Sequence, residues 1–273
     1  MTTERHRLRF ACQTYSWQMS IDRYRGRIDH MTEVAGRAGF DGFEAELVML
    51  GDSWTVDDIE TALDRAGLRP AALVLAEPWL EEGEREDERD RADLLIRTLR
   101  TLGDEAKLVL VPLPGADRRD LLQRQRTALT CMGAITRRAA RAGVEATFHP
   151  NSPAGSVFRT EADYRVMHDL WPDGLRYTPD VGHIAKGGMD PIEVLEEHWD
   201  LIDHVHIKDL DASGAWAPTG RGAIDIPRVL RLLEARAFAG WVTLEEESEQ
   251  ARIDPDAATL ENGAWLQAWK DRR

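Results

Sequence analysis

Short apolar runs recur along the chain, and a segment with helical periodicity separates each run from the next. The eight runs are LRFACQ (8–13), GFEAEL (42–47), RPAALVL (69–75), AKLVLVP (106–112), VEATFH (144–149), LRYTPD (175–180), DHVHIK (203–208) and WVTLEE (241–246). The clearest predicted helices between them span 31–39, 56–67, 124–143 and 226–237. This alternation is typical of βα units around a parallel sheet. Eight units in 273 residues predict an α/β protein with a single (β/α)8 TIM-barrel domain over 1–273.

Composition narrows the class of protein. A content of 42% hydrophobic and 31% charged residues indicates a globular chain, and the charged stretch 81–95 is interpreted as the exposed face of a helix. With 49 acidic against 35 basic residues, the net charge of −14 disfavours nucleic acid as a partner. No run approaches the roughly 20 apolar residues that cross a bilayer, so we expect a cytoplasmic protein with no membrane partner. Cys12 and Cys131 are too few for a disulfide framework, and we expect them to be reduced.

Polar side chains collect at the carboxyl ends of the last four runs, where a (β/α)8 barrel has its active site. Because side chains alternate across a strand, one face of each run can be assigned to the barrel interior. The inward set comprises Glu145, Thr147 and His149 on the fifth run, His204, His206 and Lys208 on the seventh, and Thr243 and Glu245 on the eighth. Glu246 is then expected to face the helices or the rim.

Four of these strand-end residues could converge on a metal. His149, Asp180, His206 and Glu245 offer two nitrogen and two carboxylate ligands, a mixture that suits Mn, Fe, Co or Zn. The alternative for any one of them is a hydrogen-bonded rim residue, but four at adjacent strand ends favour a site. We expect one divalent metal, with Mn²⁺ favoured and Co²⁺, Zn²⁺, Fe²⁺ or Mg²⁺ as alternatives.

Six segments together resemble a known family in their order and spacing. They are 12–17 (CQTYSW), 38–44 (AGFDGFE), 180–183 (DVGH) followed by 187–191 (GGMDP), 204–209 (HVHIKD), 220–225 (GRGAID) and 240–245 (GWVTLE). The chain resembles the xylose isomerase-like barrels, also called the sugar phosphate isomerase/epimerase family. The resemblance implies metal ligands at Asp180, His206 and Glu245. At strand five, where many members carry Glu, His149 is similar to the inosose dehydratase branch.

The resemblance implies a divalent-metal-dependent isomerase or epimerase that acts on a keto-sugar or keto-cyclitol by proton abstraction next to a metal-bound carbonyl. The alternative is a dehydratase or lyase that performs β-elimination on a keto-inositol or 3-keto-glycoside, towards which His149 points. A catalytically silent binding or partner subunit would be expected to lack Asp180, His206 or Glu245. A multi-zinc DNA-repair nuclease is disfavoured by the acidic charge. Association into an oligomer stays open.

Further residues are assigned roles around this site. The catalytic candidates are Glu245, His149, His183, Glu44 and Lys208, and the substrate-binding candidates are Tyr15, Trp17, Asn151, His183 and Arg221. Glu44 could instead form a rim salt bridge, and Lys208 could pair with Asp209. Trp54, Trp79 and Trp216 are candidates for a sugar-facing wall or for ordinary packing. The absence of a glycine-rich phosphate loop gives no support for a phosphorylated substrate.

Overall fold

The computed structural model of the protein describes residues 7–103 and 105–272. Within these ranges, eight strands form one sheet. They are β1 (Arg9–Gln13), β2 (Gly42–Glu46), β3 (Arg69–Glu77), β4 (Lys107–Pro112), β5 (Ala146–Phe148), β6 (Arg176–Tyr177), β7 (His204–Ile207) and β10 (Trp241–Leu244). Their order in the sheet is β6-β5-β4-β3-β2-β1-β10-β7. Two further strands, β8 (Asp209–Leu210) and β9 (Trp216–Ala217), form a separate antiparallel pair.

The helices alternate with the strands of the eight-stranded sheet. They are α1 (Tyr15–Gln18), α2 (Ile21–Tyr24), α3 (Ile28–Arg37), α4 (Leu47–Leu50), α5 (Val56–Ala66), α6 (Glu86–Leu102), α7 (Leu121–Arg141), α8 (Glu161–Asp169), α9 (Val181–Lys186), α10 (Pro191–Glu197), α11 (Ile226–Ala235), α12 (Glu249–Ile253) and α13 (Pro255–Asp271). Each of the eight apolar runs overlaps one strand of the large sheet, and the predicted (β/α)8 fold class is confirmed.

Two of the differences between predicted and observed boundaries have a clear cause in the backbone. The run 175–180 yields only the two-residue strand β6, because Pro179 has no N–H to donate and Asp180 caps α9 instead. The charged stretch 81–95 is helical only from Glu86, which follows the N-cap residue Arg85. Gly83 cannot belong to the helix, because its φ is positive, at 111°.

The described residues divide into two compact units. The first unit contains residues 7–44, 48–69 and 203–272, and in it β10 pairs in parallel with both β1 and β7. The second unit contains residues 45–47 and 70–202, and in it β4 pairs in parallel with β3 and β5. The assignment of 1–273 to a single domain stays a prediction.

Core packing follows the alternation of the strands. In the first unit Val205 and Ile207 of β7 are fully buried between its polar residues, and in the second unit Ala72, Val74 and Val109 form a buried apolar cluster. Both cysteines, Cys12 and Cys131, are buried and free. No helix in the described ranges combines the length and the apolar character needed to cross a membrane.

Candidate active site

In the first unit, a buried glutamate joins the two histidines of β7. Glu44 lies in β2, and its Oε2 accepts a hydrogen bond from His204 Nε2 at 2.6 Å, while its Oε1 lies 2.9 Å from His206 Nε2. All three side chains are at most 2% exposed. The predicted common face of His204 and His206 is therefore confirmed, because both rings reach the same carboxylate.

A second carboxylate extends these contacts along β7 and β10. Glu245 follows β10, and its Oε2 lies 2.8 Å from His206 Nδ1. Its Oε1 accepts a hydrogen bond from Lys208 Nζ at 2.6 Å, and Lys208 also pairs with Glu247. Glu44, His206, Glu245 and Lys208 therefore belong to one continuous network of polar contacts, in which Lys208 is only 1% exposed.

Two aromatic rings flank the ammonium of this buried lysine. Lys208 Nζ lies 5.5 Å from the ring centroid of Tyr15 and 4.9 Å from that of Trp216. Such distances allow cation–π attraction, which favours the charged lysine. The alternative pairing of Lys208 with Asp209 is not what the structure shows. Lys208 pairs with the carboxylates of Glu245 and Glu247, whereas the Asp209 carboxylate accepts hydrogen bonds from backbone N–H groups of the following loop.

The electrostatics of this network favour a positive charge on His206. Burial alone would lower its pKa, but the carboxylates of Glu44 and Glu245 raise the pKa of His206 to about 10. Burial lowers the pKa of the neighbouring His204. For Glu44, burial opposes ionisation, yet the two imidazoles outweigh it and hold its pKa well below the usual range.

In the second unit, the fifth and sixth strands end close to each other. His149 directly follows β5, and its Nε2 lies 3.6 Å from Asp180 Oδ2. Asp180 is the N-cap of α9, where its Oδ1 accepts a hydrogen bond from the backbone N–H of His183 at 2.7 Å. Both His149 and Asp180 are buried, so a carboxylate and an imidazole face each other away from bulk water.

His183 has a partner that the sequence reasoning missed. Its Nδ1 lies 2.8 Å from Ser152 Oγ, and its ring meets that of His149 edge-on with centroids 5.6 Å apart. Ser152 follows His149 by three residues, but no motif distinguished it from an ordinary loop serine. The hydroxyl therefore helps to orient the His183 ring.

The predicted inward position of Glu145 was wrong. The strand β5 begins at Ala146, so Glu145 precedes it, is exposed and pairs with Lys107. The expectation for Thr147 agrees with its complete burial and with its hydroxyl contact to Thr178 at 2.7 Å.

Three predicted substrate-binding residues make contacts within the protein. The Trp17 indole is fully buried and donates a hydrogen bond to Asp256 at 2.7 Å. The Asn151 amide donates to the Pro112 carbonyl at 2.9 Å and accepts from Ser156. Arg221 is 63% exposed and pairs with Glu261 at 3.0 Å. Their roles towards a substrate stay predictions.

Side chains that could hold a metal are grouped in the described part of the chain. In the first unit, ligand atoms of Glu44, His204 and His206 all lie within 4.8 Å of one another. All four residues of the predicted ligand set are buried: His149, Asp180, His206 and Glu245. A mixture of buried imidazoles and carboxylates is a donor set that fits a divalent metal.

Comparison with known proteins identifies related sequences and folds. A family model described as a xylose isomerase-like TIM barrel matches residues 33–269. Among curated proteins, an inosose dehydratase of Lacticaseibacillus casei is 25% identical over 149 residues, which are 48% of this chain and 50% of the relative. The chain thus spans about half the length of the curated relatives it matches.

Solved structures share the fold over nearly the whole chain. A 3-keto-D-glucoside 4-epimerase, YcjR, from E. coli matches with a TM-score of 0.74 and 20% identity, covering 96% of this chain and 100% of the other. The IolI protein, solved with a bound zinc atom, matches with a TM-score of 0.75 and 18% identity, covering 95% and 96% of the two chains. At these identities the likeness shows the fold.

Proposed function

We propose that this chain, which belongs to the xylose isomerase-like TIM barrel family, is a divalent-metal-dependent isomerase or epimerase of a keto-sugar or keto-cyclitol. The observation that carries the proposal is the buried carboxylate of Glu245, which contacts both His206 and Lys208 at the end of β10. A carboxylate held between an imidazole and an ammonium can accept a proton and is surrounded by groups that stabilise negative charge.

His149, Asp180, His206 and Glu245 are the ligands in this proposal. Carboxyl ends of strands in a (β/α)8 barrel face one rim, which supports a single shared ion. The network around His206 contains three carboxylates, of Glu44, Glu245 and Glu247, against the ammonium of Lys208 and the imidazolium of His206, so negative charge is in excess and a cation is attracted. The bound zinc of the IolI protein supports a metal, and our choice among metals remains Mn²⁺ first, then Co²⁺, Zn²⁺, Fe²⁺ or Mg²⁺. When bound, a divalent ion supplies Lewis-acid polarisation of a substrate oxygen.

The residues of the chain divide the proton transfer among them. Glu245 takes the proton from the carbon next to the substrate carbonyl, and Lys208 donates a hydrogen bond to the oxygen on which negative charge develops. Return of the proton to the neighbouring carbon gives an isomer, and return to the opposite face of the same carbon gives an epimer. His149 and His183 are the candidates for that second transfer, since imidazole exchanges protons near neutral pH.

The substrate is held in this proposal by residues around Lys208. Tyr15 presents its ring beside the ammonium, and Trp216 flanks it from the hairpin β8–β9. Aromatic rings of this kind match the apolar face of a sugar or cyclitol ring. Trp17, Asn151 and Arg221 remain proposed substrate contacts. Each would bind the substrate either beside its present partners within the protein or in place of them.

Elimination is a second candidate reaction. Here the same proton loss is followed by departure of a β-hydroxyl as water, on a keto-inositol or a 3-keto-glycoside. Two observations favour it: His149 at the end of β5, and the inosose dehydratases among the curated relatives. The two candidates share every step up to proton abstraction, so one experiment can separate them.

The first test measures metal per chain. Wild type, Asp180→Ala and His206→Ala are purified, reconstituted with a mixture of divalent metals and analysed by elemental mass spectrometry. We expect about one equivalent in wild type and its loss in both variants. Glu145→Gln is the matched control, because Glu145 lies at the opposite end of the strand from His149 and should leave metal binding unchanged. A folded wild type without metal contradicts the proposal and favours a silent binding subunit.

The second test identifies the reaction. The metal-loaded protein is incubated in deuterated water with a panel of keto-sugars and keto-cyclitols, and products are analysed by NMR and mass spectrometry. Deuterium at the neighbouring carbon indicates an isomerase, deuterium with inverted configuration indicates an epimerase, and loss of water indicates a dehydratase. If neither a deuterium label nor a product appears with any substrate of the panel, the result contradicts proton abstraction.

A further inference from the structure

Glu44 divides its two oxygens between the histidines of β7. Oε2 accepts from His204 Nε2 at 2.6 Å, and Oε1 lies 2.9 Å from His206 Nε2. Thr243 on β10 adds a third contact, with its hydroxyl 3.3 Å from Glu44 Oε2 and 2.9 Å from His204 Nε2. The glutamate is fully buried, so these contacts replace the hydration of its charge.

The close approach of Glu44 Oε1 to His206 Nε2, at 2.9 Å, bears on which nitrogen of His206 faces a ligand. An imidazole whose Nε2–H donates to a carboxylate presents its lone pair at Nδ1 when that nitrogen is deprotonated. His206 Nδ1 lies 2.8 Å from Glu245 Oε2, on the side of the ring opposite to the contact with Glu44. The ring is therefore fixed with Nε2 towards β2 and Nδ1 towards β10.

We propose that Glu44 is a positioning residue, which holds Nε2–H of His206 so that Nδ1 faces the metal shared with Glu245. The proposal rests on the proposed function, because it presupposes a metal at His206 and Glu245. Metal-ligating histidines commonly donate their other ring N–H to a carboxylate, which fixes the tautomer and makes the ligand more basic.

This role replaces the one that the sequence suggested for Glu44. A catalytic carboxylate must reach the substrate with one oxygen, whereas each oxygen of Glu44 lies within 2.9 Å of a buried imidazole nitrogen and none of its surface is exposed. His204 in turn holds Glu44 in place, since its Nε2 contacts both Glu44 and Thr243. His204, Glu44 and His206 thus form one support on the side of His206 away from Glu245.

The first experiment identifies the ligating nitrogen directly. Wild-type protein with ¹⁵N-labelled histidine is loaded with ¹¹³Cd, and coupling between the two nuclei is read by NMR, with His206→Gln used to assign the signal. Coupling to Nδ1 of His206 is expected, together with a slowly exchanging proton on Nε2. Coupling to Nε2 overturns the positioning role while leaving the metal site intact. A folded wild type that binds no cadmium, manganese or zinc instead overturns the proposed function itself.

The second experiment measures affinity without any substrate. In Glu44→Gln, the amide can accept from one histidine only, and its NH₂ group opposes the N–H of the other. We expect metal affinity, measured by calorimetry, to fall 10- to 100-fold, in the range found for outer-shell partners. The matched control is Glu77→Gln, which removes another buried carboxylate, one that pairs with Arg91 in the second unit. Equal affinities for wild type and a folded Glu44→Gln overturn the proposal, and the cadmium experiment on wild type decides it if that variant does not fold.

Discussion

At the scale of single residues, two adjacent glutamates after β10 have opposite environments. Glu245 contacts His206 and Lys208, whereas Glu246 accepts a hydrogen bond from Ser248 at 2.6 Å and has a pKa that burial raises. Because burial favours the protonated, uncharged form of Glu246, replacement by the uncharged glutamine should be tolerated there. We expect Glu245→Gln to reduce kcat by about 100-fold or more, and Glu246→Gln to retain most of it. The reverse result in steady-state assays shows that the assigned register of β10 is wrong by one residue.

The charge on His206 makes a prediction about stability and pH. Its pKa is raised from 6.5 to about 10 by Glu44 and Glu245 against the effect of burial. A raised pKa stabilises the folded state fully below pH 6.5, and this stabilisation is lost as the pH rises towards 10. Between pH 6.5 and 10, we expect the free energy of unfolding of the metal-free wild type to fall more steeply with pH than that of His206→Gln. The expected difference between the two slopes is about 1.4 kcal/mol per pH unit. Urea titrations in the presence of chelator measure it, and parallel profiles of the two proteins contradict it.

Residue-level prediction from the sequence succeeded where alternation alone decides the answer. The common face of His204 and His206 follows from their spacing of two on a strand. Glu145 failed because the rule holds only inside a strand, and β5 starts one residue later. The partners of Glu44 could not be predicted, since they depend on how β2 lies relative to β7, and no pattern along the chain encodes the contact between these two strands.

At the scale of elements, the loop after β7 is organised by one carboxylate. Asp209 accepts hydrogen bonds from the backbone N–H groups of Leu210 at 2.9 Å, Gly220 at 3.0 Å, Gly222 at 2.9 Å and Ile224 at 3.2 Å. This arrangement closes the segment that carries the hairpin β8–β9. The hairpin places Trp216 beside Lys208.

Removal of that carboxylate should loosen the loop. Asp209→Asn replaces one acceptor oxygen with a donor, which leaves buried N–H groups without partners, at a cost of about 1–3 kcal/mol. We expect lower stability in urea and faster hydrogen exchange at Gly220 and Gly222. Asp211→Asn is the control, because Asp211 makes comparable bonds in an exposed turn of the same loop. Equal effects of the two substitutions show that Asp209 does not organise the loop.

Element prediction was accurate for strands with a continuous apolar run and poor where backbone chemistry intervened. All eight strands of the large sheet were located, whereas β6 is short because Pro179 cannot donate to the sheet. The hairpin β8–β9 was not predicted. Its strands have two residues each, too few for a periodic pattern, and its geometry depends on the side chain of Asp209.

At the scale of the whole molecule, the fold class followed from counting βα units, because periodicity and order are properties of the sequence itself. The fold alone does not determine which reaction is catalysed. The sequence matches include an inosose dehydratase and the structural matches a 3-keto-D-glucoside 4-epimerase, and a shared barrel leaves the reaction to individual side chains.

A global consequence of the proposed metal is a change in thermal stability. A ligand that binds only the folded state stabilises it by about 2.7 kcal/mol at a concentration 100 times its Kd. For a chain of this size we therefore expect the Tm to rise by about 5–10 °C when the favoured metal is added at that concentration. The rise should disappear in Asp180→Ala and persist in Glu145→Gln, whose exposed side chain pairs with Lys107. Calorimetric scans over a series of metal concentrations measure the effect, and an equal shift in Asp180→Ala means that the stabilising ion binds elsewhere.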